Sequence, residues 1–250
     1  MKTKAFSIHE GNYNIRCLMY SLDAAAERVV ISCHGFAGSK AARSAARFAE
    51  YMLPKYKDMA VLCFDWPCHG EDVRKKLSLD DCNAYLAAVI RYARETIKAK
   101  ELYCYAVSFG AYLALKYTAE NGSPFRMMAL RSAAVNMYDV MQQLFSDSDR
   151  ALLAKGKDAL VGFDSKISVG TAFLSELKRA DITLWDHKSI ADQALMLHGQ
   201  RDEIVPFDAA RDFAERNGIE FVPFPNADHR FSDPKLMTEA IQYIETFFEC

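Results

Sequence analysis

The chain lacks the features that mark membrane, secreted and nucleic-acid-binding proteins. No apolar run approaches the roughly 20 residues that span a bilayer, and residues 1–7 lack the apolar stretch of a secretory signal. Lys and Arg number 31 against 33 Asp and Glu, a formal net charge of −2. Phosphate backbones and anionic lipids usually recruit a basic excess, which is missing here. We therefore expect a cytoplasmic protein with no nucleic-acid or membrane partner.

The cysteines argue against a disulfide framework and against a zinc site. Seven are present, an odd number, with no Cys-x-x-Cys pair and no Cys/His spacing typical of zinc. Several lie inside apolar runs, where reduced and buried thiols are the expected state in a cytoplasmic protein. Cys68 and His69 are adjacent, but the side chains of sequence neighbours usually diverge, so they are poor candidates for a catalytic dyad.

No Pro/Gly/Ser-rich linker, internal repeat or low-complexity segment divides the chain. Its 250 residues are 51% hydrophobic, which is enough to bury most of the unfolded surface in a large core. The absence of a linker favours one domain over two small ones. We expect a single domain covering residues 1–250.

Short apolar runs alternate with amphipathic stretches after an initial hairpin. The hairpin covers the first 20 residues and turns at Glu10-Gly11-Asn12. The apolar runs, typical of buried parallel strands, occupy residues 28–33, 60–64, 102–107, 127–130, 194–197 and 219–222. The stretches with helical apolar spacing occupy residues 79–98, 109–120, 208–217 and 233–248. This order predicts an α/β fold with a doubly wound, mostly parallel sheet of about eight strands.

One connection is too long for this alternation. About 60 residues separate the apolar run that ends near Arg131 from the one that begins near Ala194. Residues 135–155 have a helical pattern, and residues 162–170 look like a short extended piece with turns. We expect a cap insertion at about 135–186 over the carboxyl edge of the sheet, where open α/β sheets bind ligands.

The helical part of this insertion has an apolar face that includes Met141, Leu144 and Phe145. Methionine adapts to varied apolar ligands, so these three residues are candidates for substrate binding. The same face also fits ordinary packing of the cap on the core.

The segment Ala106-Val107-Ser108-Phe109-Gly110 lies between a predicted buried strand and a predicted helix. That context suits a nucleophile elbow of the Gly-x-Ser-x-Gly type, with Ala in the first small position. Ser108 would then be exposed on a sharp turn as a nucleophile. Taken alone, Ser108 is also compatible with a helix N-cap.

An acid and a base follow the next strands of the predicted sheet. Asp202 lies in the loop after the run at 194–197, and His229 lies in the loop after the last strand. Ser108, Asp202 and His229 therefore occur in the chain order of the α/β-hydrolase triad. Glu203 is the nearest alternative to Asp202. The competing histidines, whose positions favour structural roles, are His9, His34, His69, His187 and His198.

The loop that leaves the strand at 28–33 contains His34-Gly35-Phe36-Ala37-Gly38. Backbone N–H groups in such a glycine-containing loop can point at a developing oxyanion. We expect the N–H groups of Phe36 and Phe109 to be these donors.

These motifs resemble the α/β-hydrolase superfamily of serine hydrolases, and the resemblance extends from about residue 29 to the C-terminus. The His-Gly-Phe-x-Gly loop and residues 64–71 look like those of small bacterial carboxylesterases of the cinnamoyl or feruloyl esterase type. The family usually has Gly where Cys68 and Ala106 stand. The resemblance implies hydrolysis of small or medium acyl or aryl esters by the triad, without a metal or organic cofactor.

Other functions remain open at this stage. A thioesterase or peptidase would use the same triad, and a catalytically silent member of the fold would serve as a binding module. Asp65 follows a strand as a carboxylate nucleophile would, but the elbow position holds Ser108. We expect the substrate to be a small-molecule ester.

Overall fold

A computed structural model describes residues 1–22, 25–163 and 165–249. Asp164, within the predicted extended piece, and Cys250 lie outside the described residues. The strands are β1 (Lys2–Glu10), β2 (Tyr13–Ser21), β3 (Arg28–Cys33), β4 (Met59–Phe64), β5 (Glu101–Val107), β6 (Met127–Arg131), β7 (Ala159–Val161), β8 (Ile167–Val169), β9 (Ala194–Gly199) and β10 (Glu220–Phe224). The α-helices are α1 (Arg43–Met52), α2 (Leu79–Glu95), α3 (Phe109–Asn121), α4 (Met137–Leu144), α5 (Asp147–Ala154), α6 (Thr171–Arg179), α7 (Phe207–Asn217) and α8 (Pro234–Phe248). Short 3-10 helices occupy Ile182–Leu184 and Lys188–Gln193.

The main sheet has eight strands in the order β1-β2-β4-β3-β5-β6-β9-β10. The pairs β1–β2 and β2–β4 are antiparallel, and the other pairs are parallel. This confirms the predicted α/β fold with its mostly parallel sheet and initial hairpin. The carboxyl ends of β3, β5, β6, β9 and β10 consequently meet along one edge, and the loops that follow them lie close together.

Two apolar clusters lie on opposite faces of this sheet. In β3, Val29 and Ile31 belong to the cluster that includes the apolar side chains of α2, α3 and α7, whereas Val30 belongs to the cluster under α1 and α8. Successive side chains of a strand point to opposite faces, so a six-residue strand such as β4, buried at every position, packs on both sides. This double burial explains why the strands are continuous apolar runs rather than alternating ones.

The helices depart from the predicted pattern in three places. The helical pattern predicted over residues 135–155 forms two helices, α4 and α5, with an extended Phe145 between them. Ser146 caps α5 and forms a reciprocal capping box with Asp149, which starts a new helix. The helices α1 and α6 were not predicted.

The insertion between β6 and β9 covers residues 132–193, slightly more than the predicted 135–186. It contains α4, α5 and α6, and β7 and β8 form an antiparallel pair where an extended piece was expected. Its apolar side chains, such as Phe173 and Leu177 of α6, join the cluster on the α3 side of the sheet.

The cysteines of the described residues are free thiols, and five of these six are buried. Burial raises the pKa of Cys17 and that of Cys63 to about 12 in each case. Cys68 is the half-buried member, and burial raises its pKa to about 11. In the described parts of the chain, no helix combines the length and the apolar character needed to cross a bilayer.

Candidate active site

Ser108 forms the turn between β5 and α3. Its backbone has φ 53° and ψ −116°, and its side chain makes no capping hydrogen bond to the helix that follows. An N-cap serine needs that bond and an extended backbone, so the helix-cap interpretation of Ser108 is wrong. A non-glycine residue at positive φ costs about 1 to 3 kcal/mol. Here the Ser108 N–H donates to the carbonyl oxygen of Arg131 on the neighbouring strand at 3.0 Å, which helps to hold this conformation.

Two glycines allow the chain to pack tightly around this turn. A Cβ atom on Gly110 would lie 2.4 Å from the carbonyl oxygen of Cys33 and 2.6 Å from that of His34. A Cβ atom on Gly35 would lie 3.3 Å from the Cβ atom of Ser108. The glycine-containing loop after β3 therefore lies directly against the serine, and only a residue without a side chain fits at position 110.

His229 and Asp202 are joined by their side chains. The Nδ1 atom of His229 lies 2.8 Å and 3.0 Å from the two carboxylate oxygens of Asp202. The main chain of His229 is held by Ser132, whose hydroxyl donates to its carbonyl oxygen at 2.9 Å. Asp202 also accepts the backbone N–H groups of Ile204 and Val205. With Nδ1 facing a carboxylate, the other ring nitrogen of His229 is left for a different partner.

A second histidine, His198, also contacts Asp202. Its Nε2 atom lies 3.1 Å from the carboxylate, and both side chains are fully buried. Burial by itself would raise the pKa of Asp202, but the hydrogen bonds from His198 and His229 hold that pKa well below its usual value. Asp202 is therefore a fixed carboxylate. The position of His198 before a glycine at a strand end predicts a structural role, but it gives no signal that the ring faces the Asp202 carboxylate.

The alternatives for acid and base have other contacts. Glu203 accepts the backbone N–H of His229 at 3.3 Å rather than contacting its ring. His34 accepts the backbone N–H of Trp66 at its Nε2 atom and lies 2.8 Å from the Gly35 carbonyl oxygen at Nδ1. Burial lowers the pKa of His34 to about 4. Burial, together with the nearby His34, lowers the pKa of His69 to about 3.

The loop after β3 is anchored by a buried ion pair. The carboxylate of Asp65 accepts the backbone N–H of Lys40 at 2.6 Å and its ammonium group at 3.0 Å. Gly70 passes so close that a Cβ atom there would lie 2.3 Å from Asp65. Asp65 is thus a structural anchor for the loop.

Two backbone N–H groups next to Ser108 are free to bind an acceptor. Phe36 follows Gly35 in this loop, and Phe109 is the first residue of α3, where helix geometry leaves N–H groups without intrahelical partners. In the described part of the chain, neither N–H donates to another protein group. The Phe36 and Phe109 rings pack edge to face, with centroids 5.8 Å apart.

Ser108 and His229 line the same cavity, which has a volume of about 500 Å³ and is named here the edge cavity. Small-molecule sites commonly have this size. Part of its wall comes from the loop after β3, including Phe36, and part from α4 of the insertion. Within the described residues, no group of three or more His, Cys, Asp or Glu side chains is arranged to hold a metal ion.

The predicted substrate-binding residues are divided by the geometry of α4. Leu144 lines the edge cavity together with Met137 and Val140, whereas the cavity lining in the described residues does not include Met141 or Phe145. Both are buried in the core beneath the insertion. Because successive helical residues rotate by about 100°, Met141 is turned by about 60° from Leu144, and Phe145 lies beyond the end of the helix. The structure thus places Leu144 at the cavity and Met141 and Phe145 in the core.

Comparison with known proteins identifies the family of this chain. The family model described as alpha/beta hydrolase fold matches residues 28–173, which is more than half of the chain. The chain belongs to the alpha/beta hydrolase family. No match was found among curated protein sequences.

Several solved structures share the whole fold at low sequence identity. Est1E from Butyrivibrio proteoclasticus, solved with ferulic acid bound, is 18% identical with a TM-score of 0.77, and the match covers 98% of this chain and 100% of that one. Alpha/beta hydrolase domain-containing protein 10 from mouse is 12% identical with a TM-score of 0.75, covering 98% of both chains. The Pyrococcus furiosus esterase Pf2001 is 18% identical with a TM-score of 0.69, covering 99% and 92%. At these identities the likeness concerns the fold.

Proposed function

We propose that this alpha/beta hydrolase is a serine-dependent carboxylic ester hydrolase for small or medium acyl or aryl esters. The observation that carries the proposal is the arrangement at the edge cavity: Ser108 on its strained turn and His229, bound through Nδ1 to Asp202, line the same space. These three side chains are the nucleophile, base and acid of the proposed reaction.

The reaction begins with removal of a proton from Ser108. A serine hydroxyl is a weak nucleophile near pH 7, and the ring nitrogen of His229 that faces away from Asp202 would take its proton as the oxygen attacks the acyl carbon. The carboxylate of Asp202 holds the imidazole tautomer and stabilises the imidazolium that forms. His229 then protonates the leaving alcohol, and an attacking water releases the acid from the acyl-enzyme by the same steps.

The tetrahedral intermediate places negative charge on the former carbonyl oxygen. We assign its binding to the N–H groups of Phe36, which follows the Gly35 that packs on Ser108, and of Phe109, the next residue after Ser108. Neither group has a protein acceptor in the described residues. One such donor is typically worth about 3 to 4 kcal/mol of transition-state stabilisation. Because both donors are backbone groups held by the Asp65–Lys40 pair and by α3, they need no reorganisation during the reaction.

Labelling with a fluorophosphonate probe tests the nucleophile directly. We expect one covalent adduct on Ser108, identified by peptide mass spectrometry, and no adduct on Ser108→Ala protein. A folded wild-type protein that fails to react would favour a silent binding module and contradict the proposal.

A substrate panel tests the reaction class. The panel compares p-nitrophenyl esters, methyl hydroxycinnamates, acyl thioesters and aminoacyl amides at matched acyl groups. The ferulic acid bound to Est1E supports including the hydroxycinnamates. We expect the highest kcat/KM for oxygen esters, and a higher value for thioesters or amides would replace the esterase assignment with that activity.

A further inference from the structure

The wall of the edge cavity is positively charged. Among the described residues that line it are four arginines and no aspartate or glutamate. The chain as a whole carries slightly more acidic than basic residues, so this is a local separation of charge. The arginines are Arg43, Arg47, Arg131 and Arg230.

Arg131 is the most informative of the four, because it is buried. Only 3% of its surface is exposed, at the carboxyl end of β6 beside Ser108. Its Nε atom donates to the hydroxyl of Tyr105 at 3.2 Å, and its guanidinium carbon lies 5.0 Å from the centre of the Phe231 ring. Its Nη1 atom is buried and has no hydrogen-bond partner in the described residues. A buried guanidinium with an unused donor is costly unless an acceptor is supplied.

Different elements supply apolar and cationic side chains to the cavity wall. Met137, Val140 and Leu144 line it from the insertion, whereas Arg43 and Arg47 line it from α1, one helical turn apart. Arg131 contacts side chains of the α1 and α8 cluster, including Tyr105 and Phe231. We call Arg43, Arg47 and Arg131 the cationic side.

Three carboxylates beside Asp202 and His229 in the sequence, Asp202 included, have other contacts. Asp202 is fully buried behind His229 and is held by His198 and His229. Glu203 accepts the His229 N–H. Asp228 accepts the backbone N–H of Ser232. None of these three carboxylates lines the edge cavity, so none of them supplies the acceptor that faces it.

We propose that the cationic side binds an anionic oxygen group, a carboxylate or a phosphate, carried by the ester substrate. A guanidinium presents a planar set of N–H donors that matches these groups. The substrate would place its anion against Arg131 and its apolar part against α4, with the ester carbon at Ser108. This inference rests on the proposed hydrolase function and narrows its substrates to esters that carry a negative charge.

Two pairs of substrates test which end of the ester carries the charge. The first pair, 4-acetoxybenzoate and 4-acetoxybenzamide, differs by a charge on the leaving group. The second pair, mono(4-nitrophenyl) adipate and 4-nitrophenyl hexanoate, differs by a charge on the acyl group. We expect the wild-type protein to have a kcat/KM at least about tenfold higher for the anionic member of one pair, which is the size expected for a hydrogen bond to a charged group.

Arg131 variants test whether the guanidinium causes the preference. Arg131→Met keeps the apolar stem against Phe231, and we expect the anionic-to-neutral ratio of kcat/KM to fall towards one. Arg131→Lys should retain part of the preference. Arg47→Gln, on the wall formed by α1, is a second variant should Arg131→Met fail to fold. Arg211→Gln is the matched control, because Arg211 pairs with Asp208 and Asp212 on the surface of α7.

Inhibition separates the two sources of the anion. Benzoate and inorganic phosphate are compared as competitive inhibitors of 4-nitrophenyl acetate hydrolysis. We expect one of them to compete with the substrate in the wild-type protein and to lose this inhibition in Arg131→Met. The proposal is overturned if neither substrate pair shows a preference and neither anion competes. If no ester is hydrolysed, the proposed function fails, and calorimetric binding of benzoate or phosphate to wild-type and Arg131→Met protein still decides the anion site.

Discussion

The carboxyl edge of the sheet and the insertion over it are built under different constraints. At the edge, Ser108 is held at positive φ and Gly110 packs where a side chain would overlap two carbonyl oxygens. In the insertion, α4 and α6 are held mainly by apolar contacts, and α5 has no buried residue. The edge therefore holds the side chains of the proposed triad, whereas the insertion supplies part of the cavity wall. We expect changes at the edge to affect turnover and changes in the insertion to affect selectivity or stability.

Removal of the Ser108 hydroxyl has the largest expected effect. Ser108→Ala should lower kcat by about 10⁴-fold or more, because the nucleophile is lost. The fold should persist, since the hydroxyl makes no capping bond. Steady-state kinetics and thermal melting measure the two effects, with Ser175→Ala on the surface of α6 as control. A Ser108→Ala protein that keeps more than a tenth of the wild-type kcat would contradict the assignment of Ser108 as the nucleophile.

Changes to the proposed acid and base should have the next largest effects on activity. His229→Ala should cost about as much as Ser108→Ala, and Asp202→Asn should lower kcat by roughly 10⁴-fold, because an amide no longer enforces the required imidazole tautomer. Glu203→Gln is the control, since Glu203 contacts only the backbone of His229. A larger loss of kcat in Glu203→Gln than in Asp202→Asn would assign the role of the acid to Glu203 instead of Asp202.

Acid pH should destabilise the edge through its buried histidines. His34 and His69 have pKa values of about 4 and about 3 in the folded state, below the ordinary value of about 6.5 that the unfolded chain restores. The unfolded state therefore binds protons first, and stability present above pH 6.5 is lost as the pH falls towards the folded pKa values. Each histidine should cost about 2 kcal/mol of unfolding free energy between pH 7.5 and pH 5.

Denaturant unfolding at several pH values measures this loss. His69→Phe keeps a ring against Phe36 and Phe109 and removes one titrating group. It should lose about 2 kcal/mol less than wild type over the same pH range. Equal losses in the two proteins would mean that His69 is not buried in its neutral form.

The smallest effects should separate two residues of α4. Leu144→Ala should change the preference among ester chain lengths by about fivefold, since a lost methylene contact is worth about 1 kcal/mol. Met141→Ala should leave that preference unchanged and lower the melting temperature, because Met141 is buried in the core. The readouts are kcat/KM ratios for two ester lengths and thermal melting. The assignment of Leu144 to the cavity and of Met141 to the core is contradicted if Met141→Ala shifts the kcat/KM ratios while Leu144→Ala does not.

Sequence patterns predicted the strands well because burial on both faces leaves continuous apolar runs. The run at 28–33 coincides with β3. The helix α1 was missed although its buried residues have helical spacing, at Ala45, Phe48, Ala49 and Met52. The break before α5 was missed because the apolar pattern continues across it. It depends on the polar capping box at Ser146 and Asp149, which a hydrophobic pattern does not register.

The candidate site was predictable where it depends on chain order and not where it depends on side-chain direction. Ser108, Asp202 and His229 each follow a strand, so topology alone brings their loops to one edge. Arg131 and His198 lie inside apolar strands, and only the packing of neighbouring strands shows that one faces the cavity and the other faces Asp202. Likewise, only the orientation of α4 about its axis shows that Leu144 lines the cavity and that Met141 does not.

Because their thiols are buried, the cysteines can report local unfolding of the protein. A thiol reagent attacks the thiolate, so a cysteine that is buried with a raised pKa reacts only after its surroundings unfold. Four of the six cysteines in the described residues are in this state, and they lie on β2, β3, β4 and α2. Their modification rates, followed one by one by mass spectrometry, would therefore report which strands and helices separate together and which open alone.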